Sequence, residues 1–151
     1  MKYQPTNLLL DELSGVLVGG SALAIDLSGS FVVLIAAPFT PGPTLTLGDL
    51  SEATFQGYAR GHDTAGWNNG VAEGGKRVAY SPLFPFQAVG SDSPNVIYGD
   101  AIVGSDSVTL LAAELFDTPR PMQAPPDTLL LTVVFGFDPA GNYGQGILSP
   151  P

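Results

Sequence analysis

The chain has 151 residues, 44% apolar and 13% charged, with no cysteine and a formal net charge of −9. That length suits one domain of about 100–150 residues, and the lack of cysteine excludes disulfides, thiolate metal sites and thiol nucleophiles. The only cations, Lys2, Arg60, Lys76, Arg77 and Arg120, are too few and too scattered to displace counterions from phosphates, so the balance argues against nucleic acid and against an anionic membrane surface.

Residues 7–18 carry the one helical pattern. Asn7 can cap it, and Leu9, Leu10, Leu13, Val16 and Leu17 fall on one stripe. Gly19 and Gly20 end it. Asp11 and Glu12 interrupt the apolar run too early for a secretory leader, which sets the expectation of a chain made and kept in a cytoplasm. The longest apolar run, residues 31–39, has nine residues and contains Pro38, well short of the about 18 that span a bilayer.

The rest of the chain reads as strands, with 19 Gly and 14 Pro dividing short β-branched and aromatic runs. Residues 31–37 form a continuous apolar run, the mark of a strand buried on both faces. Residues 44–47 make a short strand. Residues 50–53 read as a turn or single helical turn, with Asp49 placed to cap it. Residues 54–60 alternate as a strand would. Residues 61–75 read as a loop carrying Trp67, Asn68 and Asn69. Strands follow over 76–81, 84–89, 96–103, 108–116 and 128–137. The last has Leu129, Leu131, Val133 and Phe135 on one face and Leu130, Thr132, Val134 and Gly136 on the other, so it too is expected to be covered on both sides. Gly-Ser-Asp-Ser occurs at 90–93 and at 104–107, each time at a strand end, and reads as a turn. The prolines make 117–127 an extended connection, and 138–151 is a Gly/Pro-rich tail.

Seven or eight strands at regular spacing predict an all-β, antiparallel β-sandwich, jelly-roll-like, with one short N-terminal helix. The sandwich domain is expected over residues 1–137, followed by the tail.

No motif for chemistry stands out. His62 is the single histidine, and its neighbour Asp63 is badly placed to orient it for a triad. Asp92 and Asp106, each between two serines, supply one carboxylate apiece, too few for calcium. Asp63, Glu73, Asp100 and Glu114 are the candidates for a carboxylate pair of the glycosidase kind, whose spacing is set only in three dimensions. There is no Gly-rich phosphate loop. No enzyme activity, cofactor or metal is expected. The low charge instead suggests a surface covered by other protein. Its candidates are Leu9 and Leu13 on the helical stripe, the aromatics Tyr58 and Trp67, and Tyr143 in the tail.

The run from Leu47 to Arg60, Leu-Gly-Asp-Leu-Ser-Glu-Ala-Thr-Phe-Gln-Gly-Tyr-Ala-Arg, resembles a stretch found in small β-rich virion structural proteins of tailed phages and prophages. The likeness extends to the helix at 7–18, the strand at 31–37, Ile97-Tyr98-Gly99, the strand holding Glu114 and Phe116, and the last apolar strand. It implies a virion protein, foremost a head-decoration (cement) or accessory capsid protein. The expected partners are copies of the chain itself, as a trimer or higher, and a capsid or tail protein, in a virion assembled in the bacterial cytoplasm. The alternative is a tail- or fibre-associated carbohydrate-binding module for host attachment, with Trp67, Tyr58, Asn68 and Asn69 as its site. A small Asp/Glu hydrolase ranks third.

Overall fold

The computed structural model describes residues 4–5, 27–71 and 77–137. The expected helix at 7–18 and the tail at 138–151 lie outside the described residues. Within them the chain is mostly antiparallel strand, and its only helical element is a three-residue 3-10 turn, Leu47–Asp49.

The largest sheet has five strands: β1 (Gln4–Pro5), β2 (Phe31–Ile35), β3 (Gly61–His62), β7 (Asn95–Val103) and β8 (Leu110–Met122), in the order β1-β8-β7-β2-β3. A second sheet is built from β4 (Asn68–Val71), β5 (Arg77–Tyr80) and β10 (Val134–Phe137), and a third from β6 (Phe84–Gln87) and β9 (Thr128–Leu131). The second and third sheets are joined. Ser81 N–H donates to Val133 O at 2.9 Å, and Val133 N–H donates to Ser81 Oγ at 2.8 Å. Residues 77–88 and 127–137 therefore run as one two-stranded ribbon. Its register slips by one residue at Pro82-Leu83, from Tyr80 opposite Val134 to Phe84 opposite Leu131. That slip divides the single strand expected over 128–137 into β9 and β10.

β2 is buried on both faces, as its apolar run predicts: Val32, Val33, Leu34 and Ile35 are all at most 1% exposed. Val32 and Leu34 face one core cluster with Ile97, Ile102, Ala112 and Met122 of the large sheet and Phe84, Phe86 and Leu131 of the ribbon. Val33 and Ile35 face another with Ala101, Val103 and Ala113, against which Phe39, Leu45, Leu47 and Leu50 pack. The segment between β2 and β3 thus folds back over the outer face of its own sheet. Burying a side chain of this size is worth about 1.5–3 kcal/mol, so the two-faced burial of β2 makes it the centre of the fold. The ribbon closes over the first cluster, with β6 alongside β3 and β9 alongside β8.

Several expectations are corrected. Residues 44–47 form no strand. Asp49 does not cap a turn at 50–53; it ends the turn Leu47–Asp49, where its Oδ2 accepts from Thr46 N–H at 2.9 Å and Thr46 Oγ1 at 2.6 Å. Residues 54–60 alternate but make no ladder, because the chain turns at Gly57, whose φ of +97° favours glycine. The segment read as a loop over 61–75 holds β3 and β4. The connection expected at 117–127 is strand as far as Met122. Arg120, Pro121 and Met122 pair with Ile97, Val96 and Asn95, after a bulge in which residues 116–119 pass opposite Tyr98 alone. Proline is tolerated at such edges and bulges because it leaves no ladder N–H to satisfy.

Both Gly-Ser-Asp-Ser copies bend the chain, and they share a positive φ at the last serine. The final serines, Ser93 and Ser107, are the two non-glycine residues with positive φ among those described, at 55° and 64°. In the second copy Asp106 Oδ1 accepts from Val108 N–H at 2.9 Å and Thr109 N–H at 2.8 Å, which is how a short acid stabilises a tight turn.

Candidate functional site

Residues 47–60 form a strap along the free side of β2. Ala36 N–H donates to Ser51 O at 2.7 Å, and Ala53 N–H to Leu34 O at 2.8 Å, so residues 51–53 continue the ladder where β3 stops. Ala53 and Phe55 enter the first core cluster. Asn95, at the start of β7, clamps the strap from the side: its Oδ1 accepts from Thr54 N–H at 2.6 Å and Phe55 N–H at 2.9 Å.

The polar residues of the strap meet at one point. Glu52 Oε1 accepts from Tyr58 Oη and from Arg60 Nε, each at 2.8 Å, and Glu52 Oε2 accepts from Arg60 Nη2 at 2.6 Å. Arg60 Nη1 donates to Ser107 O at 2.8 Å, which ties in the turn after β7. Tyr58 Oη also accepts from Leu34 N–H at 3.3 Å. Burial pushes the Glu52 carboxyl upward, but the hydrogen bonds from Arg60 and Tyr58 and the attraction of the guanidinium outweigh it and hold it below the usual range. Burial first, then the bond to Glu52, drives the Tyr58 phenol well above its ordinary value. A carboxylate held ionised by two donors and a phenol kept protonated brace the strap.

A second cluster lies around β3. His62 stacks on Phe31 with ring centroids 4.5 Å apart. Asp63 is buried, with Oδ1 accepting from Gly66 N–H at 2.7 Å and Oδ2 taking no hydrogen bond. Trp67 packs against the first core cluster and donates its indole N–H to Ser30 Oγ at 3.1 Å.

Of the carboxylates named from sequence, Asp100 and Glu114 are brought together. They are direct partners across β7 and β8, at 0% and 4% exposure, and neither is free. Asp63 stands apart on its own loop, and Glu73 lies outside the described residues. Among the described residues no group of three or more His, Asp or Glu is placed to hold a metal ion.

The residues singled out as interface candidates divide in two. Leu9, Leu13 and Tyr143 lie outside the described residues. Tyr58 and Trp67 are partly buried, and both direct their polar atom to a partner inside the fold. Asn68 is exposed, and Asn69 pairs through β4 with Ala79 of β5.

The outward row of the ribbon is apolar: Leu83 is 55% exposed, Val89 60% and Leu130 48%. Its signal was present in the apolar residues on both faces of 128–137. A family-model scan, a search of curated proteins and a search of solved structures each find no match to this chain.

Proposed function

We propose that this chain is a virion structural protein of a tailed phage or prophage, a head-decoration or accessory capsid protein that acts by self-association and by docking on a capsid or tail protein. The observation that supports this reading best is a β scaffold with a buried apolar core that still presents large apolar side chains, Leu83, Val89, Val108 and Leu130, to solvent. A chain with only 13% charged residues has little else with which to keep such side chains apart from a partner. In this reading the two sheet systems form a jelly-roll-like sandwich. The strap at 47–60, the seat of the phage-protein resemblance, serves as the brace that keeps the scaffold rigid enough to be tiled. A rigid scaffold binds without spending ordering entropy.

An antibody raised against the purified chain tests this on particles released by the lysogen that carries the gene. Label on intact particles is the expected result. Particles without label, with the protein left in the cell debris, would rule out the virion role.

A further inference from the structure

We propose that the outer face of the β6–β9 ribbon is the surface through which copies of this chain meet one another. The inference rests on the self-association proposed above and gives it a location.

In β6 and its flanks, burial alternates strictly. Phe84, Phe86 and Ala88 point into the core, and Leu83, Pro85, Gln87 and Val89 point out. On the facing strand Leu131 points in, while Leu130, directly opposite Pro85, and Thr128, opposite Gln87, point out. An antiparallel pair with one face on a core ordinarily shows polar residues on the other. Here both faces are rich in apolar side chains. Of the five large hydrophobic residues exposed among those described, four, Tyr80, Leu83, Val89 and Leu130, lie on this ribbon; Val108 is the exception. The sequence carries the same message, because residues 128–137 have the composition of a strand covered on both sides, and among the described residues Leu130 is not.

Charge selects the occupant. Residues 78–91 and 128–137 contain no Asp, Glu, Lys, Arg or His, in a chain of net charge −9; the ribbon's only charged residues, Arg77 and Asp127, stand at its ends. Two copies that approach through acid-bearing faces repel each other. The ribbon is a face on which they meet without opposing carboxylates, and interface centres are depleted of charge in this way. A basic partner would have nothing here to pair with. The same neutral row on each copy is self-complementary about a rotation axis, the geometry of closed homo-oligomers.

The absence of native cysteine makes single-cysteine probes clean. The experiment measures association of wild type, Leu130→Asp and Leu83→Lys by light scattering across a dilution series. It also measures bismaleimide cross-linking and maleimide labelling of L130C and V108C. Leu130 and Leu83 are exposed in the single chain, so thermal melts taken at a dilution where every protein is a monomer should match wild type and exclude misfolding as a cause.

The expected result has four parts. The wild type associates. Each charge variant raises the dissociation constant at least about tenfold. L130C cross-links to a second chain and V108C does not. The L130C thiol is protected in the oligomer and free on dilution. If the wild type associates while both charge variants match it, or only V108C cross-links, the ribbon is not the contact and self-association itself stands. If the L130C thiol is protected in the monomer, the chain's own residues cover the face and the inference fails. A wild type that stays monomeric overturns both this inference and the self-association it rests on.

Discussion

Arg60 grips Glu52 with two roughly parallel hydrogen bonds, Nε to Oε1 at 2.8 Å and Nη2 to Oε2 at 2.6 Å. The two side chains are 29% and 26% exposed, so solvent screens the pair only in part. Glu52→Ala removes both bonds and the acceptor of the Tyr58 hydroxyl. It should cost about 2 kcal/mol and lower the melting temperature by about 4–8 °C. Arg60→Lys keeps the charge but loses the fork and the reach to Ser107 O, and should recover less than half of that difference. Differential scanning calorimetry of the three proteins measures both.

The same brace sets the acid limb of stability. Glu52 is held down by Arg60 and Tyr58 against the opposing effect of burial. The exposed Asp49 and Asp106 are held down first by the hydroxyls of Thr46 and Thr109. In each case the folded carboxyl titrates below the unfolded one. The stability they supply is therefore complete above the ordinary carboxylate values of 4.5 and 3.8 and is lost as pH falls through the lower folded values. Melting temperatures should be flat from pH 7 to about pH 5 and decline below about pH 4. Glu52→Gln should flatten part of that decline. An unchanged acid limb in Glu52→Gln would show that Glu52 does not carry it.

Gly99 lets β7 and β8 close. A Cβ at this position would collide with the backbone O of Glu114 and touch the Phe39 ring at 3.0 Å. The obstacle is mainchain of the paired strand, which cannot step aside. Gly99→Ala should cost about 3 kcal/mol or more. Gly42→Ala is the control, since nothing stands within 4 Å of its Cβ, and should be near neutral. Urea unfolding of both variants gives the comparison.

Ser81 carries the junction between the two halves of the ribbon. Its Oγ accepts from Val133 N–H at 2.8 Å in a buried setting and donates to Pro82 O at 2.7 Å. Ser81→Ala leaves the Val133 N–H buried without its acceptor and should cost about 1–3 kcal/mol. Hydrogen exchange should show the Val133 amide losing protection first. Equal exchange in wild type and variant would mean that another group satisfies it.

The strands that periodicity located are those whose burial is decided locally. The all-apolar run of β2 and the alternation of β6 report which faces the core takes, and both were legible. The strap at 54–60 was not, because its alternation is real but Gly57 turns it, and its hold on the fold comes from Asn95, about 40 positions away. The pairing of Arg120–Met122 with Asn95–Ile97 was hidden for a similar reason, since a proline-rich composition favours extension without saying what it extends beside. Asp100 and Glu114 were each legible as acids, but their pairing is a matter of register, which neither residue encodes alone. The apolar residues on both faces of 128–137 predict a strand covered on both sides; the cover that Leu130 lacks among the described residues is what a second copy would supply.

The most direct test of self-association is the solution mass of the purified chain, by size exclusion with light scattering over a wide concentration range and a negative-stain image of the same peak. A protomer weighs 15.6 kDa. The expected result is a defined multiple of that mass, three protomers or more, with a closed ring, trimer or filament in the images. A mass of 15.6 kDa at every concentration would contradict it.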